Sequence, residues 1–238
     1  MSEVVLITHT PDPERAIAMA ARCCYSPHGP AELYEDMTQE EVDRILNTII
    51  SQGHSSALEH ATFTFGIDGM SRAATHQLVR HRMASYNQQS QRYVDERKVF
   101  SYVTPPSIQD NNKLLSDFPA PTDVETLFRF TMEDCFAAYQ RLLDAGIPKE
   151  DARYVLPNAC CSNIVVTMNV RELLHFFNLR LCNRAQWEIR ETAEKMLNIC
   201  RDIAPKLFKY AGPDCVYDSC NEGRMSCGNP RLDLRVEG

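Results

Sequence analysis

The sequence has no uninterrupted apolar run of membrane-spanning length, and its opening stretch, MSEVVLITHT, has neither a basic start nor a long apolar core. Membrane insertion and export are therefore not expected, and the chain reads as soluble and cytoplasmic. A basic balance is missing too. The formal net charge is -7, whereas a general nucleic-acid or membrane-surface binder needs a basic face to neutralise phosphates. Any anionic ligand must be gripped by a local arginine cluster. No Gly-x-Gly-x-x-Gly follows a strand and no Walker A loop occurs, which excludes the two commonest phosphate cradles. Internal repeats and low-complexity tracts are also absent.

What is present is 238 residues with 44% hydrophobic content, enough for a sizeable core in one large domain or two small ones. The ten cysteines would suggest a disulfide framework in a short secreted chain. Here they are scattered through apolar, helix-like segments, as at Cys23, Cys24, Cys135 and Cys200, and the 23–24 and 160–161 pairs read as small core residues. Reduced, mostly buried thiols are expected. Cys215, Cys220 and Cys227 stand apart in a Gly/Pro-containing tail. With a fourth ligand from elsewhere they could hold a metal, although their spacing fits no standard zinc pattern.

Local patterning predicts a strand over Glu3 to Thr8 and an Ala-rich helix over Pro13 to Cys24 begun by Asp12. Thr38 with Glu41 forms a capping box, flanked by a Met37/Val42 staple, for a helix that ends near Gly53. Thr62 to Ile67 alternates as a half-buried strand, and Ser71 caps a helix that ends around Arg80 and Arg82. A further strand is expected over 98–104, then an irregular connection marked by Pro105, Pro106, Asn111, Asn112, Pro119 and Pro121. A long helix over Thr122 to Ala145, stopped by Gly146 and Pro148, precedes a short strand at Ile164 to Met168 and helices over about 170–179 and 183–208. The class is α+β, helix in the majority.

The most unusual stretch runs from Arg80 to Tyr93 (RHRMASYNQQSQRY), with three arginines, a histidine, two serines and four amides. It is too poor in apolar residues for core. Arginine forks suit phosphates, and hydroxyl and amide groups can orient a heterocycle, so the composition fits a phosphorylated ligand or, equally simply, a solvated polar loop. Isolated histidines such as His76 and His175 read as hydrogen-bonded helix residues or as ligands.

The spacing R-H-R-x-x-S-x-N-x-x-S-x-R, filled by Arg80, His81, Arg82, Ser85, Asn87, Ser90 and Arg92, resembles the signature of the flavin-dependent thymidylate synthases. Further matching stretches are Gly53-His54 with Glu59-His60, DARYVLP around Arg153, NVREL around Asn169 and Arg171, and Asn178-Leu179-Arg180 followed by Ala185-Gln186-Trp187-Glu188-Ile189. Only the first thirty or so residues and the tail lack a clear counterpart. The resemblance implies a helix-rich single domain over 1–211 with a small mixed or antiparallel sheet, a Cys-containing tail over 212–238, and a homotetramer with shared active sites. It implies reductive methylation of dUMP to dTMP, with FAD as cofactor and 5,10-methylenetetrahydrofolate and NADPH as co-substrates.

By the same resemblance FAD is held by Arg80, His81, Arg82, Gln88 and His175, with Ser56 and the Asn169, Val170 and Arg171 segment coming from a neighbouring subunit. The dUMP site takes Gln77, Leu78, Val79, Arg80, Gln88, Gln89, Ser90, Gln91, Arg92 and Arg153, and Arg180 activates the uracil. No metal is implied. Gln88, His175 and Arg184 depart from the family's usual Glu, Asn and His. With no Rossmann or P-loop motif, FAD would sit on arginines at a subunit interface. There is also no Pro-Cys-His, the sequence that carries the attacking cysteine in the classical thymidylate synthases.

Uracil C5 is a poor nucleophile until the ring is polarised, and an arginine against its O4/N3 edge stabilises the developing charge. Ser90 is expected to bind nucleotide rather than attack, because no carboxylate in the motif can serve as its base. Two competing functions are a nucleotide methylase using Cys160 or Cys161, which would be colourless, and a non-catalytic dUMP-binding regulator, which would not consume NADPH.

Overall fold

The computed structural model describes residues 2–116 and 120–236. Met1, Pro119 of the irregular connection and the last two residues of the tail lie outside the described residues. In chain order the elements are β1 (Glu3–His9), α1 (Pro13–Cys23), α2 (Pro30–Asp36), α3 (Gln39–Gln52), β2 (Thr62–Ser71), α4 (Arg72–Leu78) and β3 (Ala84–Gln88). There follow α5 (Val124–Asp144), α6 (Lys149–Ala152), β4 (Cys161–Asn169), α7 (Val170–Arg180), α8 (Trp187–Ile203) and α9 (Pro205–Phe208). The class is α+β. The chain divides into two compact units, a larger one of 2–67, 77–87 and 165–238 and a smaller one of 68–76 and 88–164. Strands β2, β3 and β4 and helix α4 each begin in one unit and end in the other.

The larger unit is built on a four-stranded sheet in the order β1-β2-β4-β3. Phe63, Phe65 and Ile67 on β2 and Val166 and Met168 on β4 alternate into the core, all at 0–1% exposure, the period of a strand with one buried face. On β2, Gly66 is required by close approach, since a Cβ there would lie 3.2 Å from Val5 Cγ2 and 3.3 Å from Ile7 Cδ1. Thr64 and Thr167 pair through their hydroxyls at 2.9 Å, which sets the β2/β4 register. Helices α1, α3, α7, α8 and α9 supply the other half of the core, with Ile17, Leu46, Phe176, Phe177 and Phe208 fully buried. Phe208 meets both Phe63 and Phe177 edge-on at 5.7 and 5.9 Å. Each such side chain contributes about 1.5–3 kcal/mol on burial.

Helix ends follow the residues that mark them. Asp12, left-handed at φ 42°, accepts from the Arg15 amide to open α1. Thr38 and Glu41 form the reciprocal capping box of α3, Met37 and Val42 are both buried, and Gly53 closes the helix at φ 69°. Ser71 Oγ accepts from the Ala74 amide at 3.1 Å at the start of α4.

Four expectations change. The strand over 98–104 is reduced to a single bridge between Tyr102 and Cys160; the Glu96 carbonyl accepts from the Val99 and Phe100 amides, so a local turn consumes donors a strand would need. Ala84–Gln88, inside the polar motif, is a strand instead. The helix over 183–208 is two helices, α8 and α9, because Pro205 has no N–H to continue the first. The cysteines are all free, yet only Cys160 and Cys200 are buried, and Cys23 and Cys24 at the end of α1 are exposed. The α2 turn, begun by Pro30, was not evident from the sequence pattern.

In the smaller unit the ends of β2 and β4 stay paired. Gly69 N donates to Asn163 Oδ1 at 3.1 Å, and Arg72 N to the Cys160 carbonyl at 2.9 Å. Numbers fall on β4 as they rise on β2, so the pair is antiparallel. Its apolar cluster stacks Phe100 on Phe136 of α5 at 4.3 Å and sets Tyr102 edge-on to Phe128. No helix among the described residues is long and apolar enough to cross a membrane.

Candidate active site

In the larger unit, α4 ends at Leu78 and the chain turns through Val79, Arg80 and His81 before entering β3. The turn is held from inside: Tyr86 Oη reaches the carbonyls of Leu78 and His81 at 2.9 and 2.8 Å. Burial pushes the Tyr86 phenol well above its ordinary range, with the Glu172 charge adding to the rise, so it stays protonated and able to donate.

His81 is 4% exposed. Its Nδ1 lies 3.1 Å from Glu172 Oε1 and its Nε2 accepts from Arg180 Nε at 3.0 Å. Arg180 can only donate, so Nε2 is the unprotonated nitrogen and Nδ1 carries the hydrogen bonded to Glu172. The 3.1 Å separation would qualify as an ion pair, but the imidazole is neutral. Burial first, then the charges of Arg180 and His175, push its pKa down to about 4. Burial likewise raises the Glu172 carboxyl and lowers the Arg180 guanidinium from their ordinary values. Phe176 and His175 close the ring edges of His81, at 5.0 and 5.8 Å.

Half-buried Arg180, the last residue of α7, also donates from Nη2 to the Gln77 carbonyl at 3.4 Å. Its Nη1 has no hydrogen-bond partner among the described residues. The same is true of the side chains of exposed Arg80 and Arg82 among the described residues. The turn therefore presents unpaired guanidinium donors around a neutral, internally satisfied histidine, a donor set that fits phosphate and carbonyl oxygens. Such donors would suit the diphosphate of a dinucleotide such as FAD.

In the smaller unit, Gln88 Nε2 donates to buried Thr75 Oγ1 at 3.0 Å, and Gln91, 8% exposed, donates to Cys160 Sγ at 3.7 Å. Ser90 Oγ accepts from the Arg92 amide at 3.3 Å. Arg92 pairs with Glu150 at 2.8 Å on an exposed face, and Arg153 Nε donates to the Glu150 carbonyl at 3.0 Å. Arg72, His76, Gln91, Arg153, Tyr154 and Asn158 line an open cleft of about 260 Å³. Gln91 is thus buried scaffold at the edge of a cationic cleft, although the motif is too poor in apolar residues for core.

The remaining expected residues fall as follows. Ser56 is exposed, Leu78 is fully buried and Val79 is exposed; Gln89 is half-buried, its amide bonded to the Asn163 carbonyl. Asn169 caps α7 by accepting from the Glu172 amide. Val170 is buried and its N–H is taken by the Ala61 carbonyl. Arg171 is exposed and paired with Glu59. Arg184 donates to the Met225 carbonyl, and His175 is exposed. Arg180, Arg184, Asp214, Cys215 and Cys220 share a pocket of about 230 Å³. Among the described residues no three His, Cys, Asp or Glu side chains group as a metal site.

Glu172 and Tyr86 are the residues that sequence reasoning left without a role. Glu172 stands three residues after Asn169, a spacing that reads as helix capping, so its carboxylate carries no separate signal.

The family model described as thymidylate synthase complementing protein matches residues 5–206. A Geobacter sulfurreducens protein named flavin-dependent thymidylate synthase is 52% identical over 227 residues, covering 95% of this chain and 94% of its own. Proteins of the same name from Clostridium tetani and Sulfolobus acidocaldarius are 46% and 45% identical, covering 95% and 90% of this chain and 93% and 78% of their own. The first thirty residues, which lacked a clear counterpart by motif, fall largely inside the matched span. A family model over most of the chain, together with relatives of this identity and coverage, shows that the chain belongs to the thymidylate synthase complementing protein family, that of the flavin-dependent thymidylate synthases.

Proposed function

We infer that the chain is a flavin-dependent thymidylate synthase, a methyltransferase that converts dUMP to dTMP with FAD as cofactor, 5,10-methylenetetrahydrofolate as carbon donor and NADPH as reductant. When bound, FAD supplies the hydride chemistry that no side chain can provide. Arg80 and Arg82 hold its phosphates, with free forks on a turn that Tyr86 keeps rigid. His81 contributes by position, because both ring nitrogens are already committed. Arg180 offers its remaining N–H groups to the uracil edge, where negative charge grows as C5 becomes nucleophilic. The observation that carries this reading is that Arg180 donates to neutral His81 and to the Gln77 carbonyl, which fixes its direction while leaving Nη1 without a partner among the described residues.

In the smaller unit, Arg153 and Arg92 provide the cations, and Gln88, Gln89, Ser90 and Gln91 the orienting groups, for the nucleotide. Ser90 accepts a local backbone hydrogen bond, consistent with binding rather than attack. Attack by Cys160 is disfavoured because burial pushes its thiol up to about 12, and thiolate is the reactive form. The chain acts in the cytoplasm as a homotetramer whose subunits complete one another's sites, Ser56 and Asn169–Arg171 facing a neighbour's FAD.

The purified protein should be yellow, and should form dTMP from dUMP, methylenetetrahydrofolate and NADPH. A colourless protein that binds dUMP without consuming NADPH would replace this reading with that of a regulator.

A further inference from the structure

We propose that Glu172 is a positioning residue for this reaction: through Nδ1 of His81 it fixes the tautomer whose Nε2 receives Arg180, and so aims the guanidinium that the proposed function assigns to the uracil.

The chain of contacts runs Glu172 Oε1 to His81 Nδ1 at 3.1 Å, then His81 Nε2 to Arg180 Nε at 3.0 Å. An imidazole has two neutral tautomers, and only the one with its hydrogen on Nδ1 can accept from Arg180. The other would set an Nε2–H against the Arg180 Nε–H, and one of the two side chains would have to turn away. Among the described residues, Glu172 is the hydrogen-bond partner of Nδ1. It is 7% exposed, and its backbone is locked in the first turn of α7 by the Asn169 side chain at 2.9 Å. The ring packs edge-on against Phe176, with centroids 5.0 Å apart, and its backbone is held where Tyr86 donates to the His81 carbonyl at 2.8 Å.

One carboxylate and one guanidinium at the two ends of α7 are thus coupled through a residue of the α4–β3 turn. A buried glutamate retained only for helix capping would need no such partner, and a capping role predicts no effect on an arginine two turns away.

This inference rests on the assignment of Arg180 to the uracil, and the experiment separates the two. FAD-loaded, full-length wild type, Glu172→Met, Glu172→Gln and Arg180→Ala are compared for kcat, for KM towards dUMP and, with ¹⁵N-histidine labelling, for the His81 tautomer. Glu172→Met keeps only a weakly accepting thioether, so His81 should lose its pure Nδ1–H state. Its kcat should fall about ten- to a hundredfold, the usual scale for an outer-shell partner, with little change in KM. Glu172→Gln retains an acceptor oxygen and should recover the tautomer and most of kcat. If Glu172→Met does not fold, Glu172→Asn, which withdraws the acceptor by one methylene, should give the same losses. An unchanged tautomer and kcat in Glu172→Met, beside a strong loss in Arg180→Ala, overturns the positioning role and leaves the Arg180 assignment standing. Normal kcat in Arg180→Ala overturns that assignment, and the positioning role for the reaction with it, whatever the tautomer does.

Discussion

Acid should weaken this fold at one identifiable histidine. His81 has a pKa of about 4 in the folded protein against 6.5 for the ordinary imidazole, chiefly because burial excludes the charged form and secondarily because Arg180 and His175 repel it. Between those values the unfolded chain takes up a proton that the folded one refuses. The stabilising term is therefore complete above pH 6.5 and is lost as pH falls towards 4. At about 1.36 kcal/mol per pH unit the full loss is about 3 kcal/mol, a substantial share of the roughly 5–15 kcal/mol that holds a domain folded. Raised carboxyls such as Glu172 work in the opposite sense, since burial makes their charged form costly at neutral pH and protonation relieves it. The comparison must therefore be between wild type and His81→Gln, which differ in this one titration. Urea unfolding from pH 7.5 to pH 5 should show wild type losing about 2 kcal/mol more than the variant. The His81 ring resonances should stay those of a neutral imidazole over the same range. A ring midpoint near 6.5, or equal pH slopes in the two proteins, would refute the burial argument.

Arg180→Ala should lose about 2.7–4 kcal/mol of transition-state stabilisation, on the order of a hundred- to a thousandfold in kcat, while FAD stays bound and the pKa of His81 rises; a kcat near wild type in flavin-loaded enzyme would sink the assignment. Arg180→Lys should recover little, because lysine keeps the charge without the fork that serves His81 and Gln77 together. Replacing Cys23, Cys24, Cys160 and Cys161 by alanine should leave dTMP formation detectable, and its abolition by the Cys160 change alone in folded, FAD-bound protein would favour a thiol mechanism. Light scattering should give about four times the chain mass, against which a fully active monomer would count. Thr38→Ala should cost about 1 kcal/mol in thermal or urea unfolding, because it removes half of a capping box.

The fold was legible where a residue's local physics decides alone. Asp12, Thr38, Gly53 and Ser71 mark helix ends, and the alternation of Phe63, Phe65 and Ile67 marks a strand, because capping and period-2 burial are written in neighbouring positions. It was not legible where a distant partner decides. Ala84–Gln88 is mostly polar and is a strand beside β4; over 98–104, by contrast, a local turn takes the Val99 and Phe100 amides to the Glu96 carbonyl. The cysteines were misjudged for a related reason. Helical context tells which residues are helical, not which side faces out, and α1 ends with Cys23 and Cys24 on the outside.

At the candidate site the same division explains which residues could be named in advance. The arginines and amides of Arg80 to Tyr93 stand out by composition because few folds need so many donors in one short segment. The roles proposed for residues within that segment rest on internal satisfaction. A buried imidazole and a buried carboxylate are each costly alone, and each is tolerated because His81, Glu172 and Arg180 satisfy one another in a single connected chain. What that chain consumes is unavailable to a ligand, and what it leaves over among the described residues is the forks of Arg80 and Arg82 and the Nη1 of Arg180. The histidine that dominates the motif by sequence is therefore the residue with the least left to offer a ligand directly. Its influence passes through the arginine it orients, so substitutions at His81 and Glu172 should resemble a weakened Arg180 rather than a lost phosphate contact.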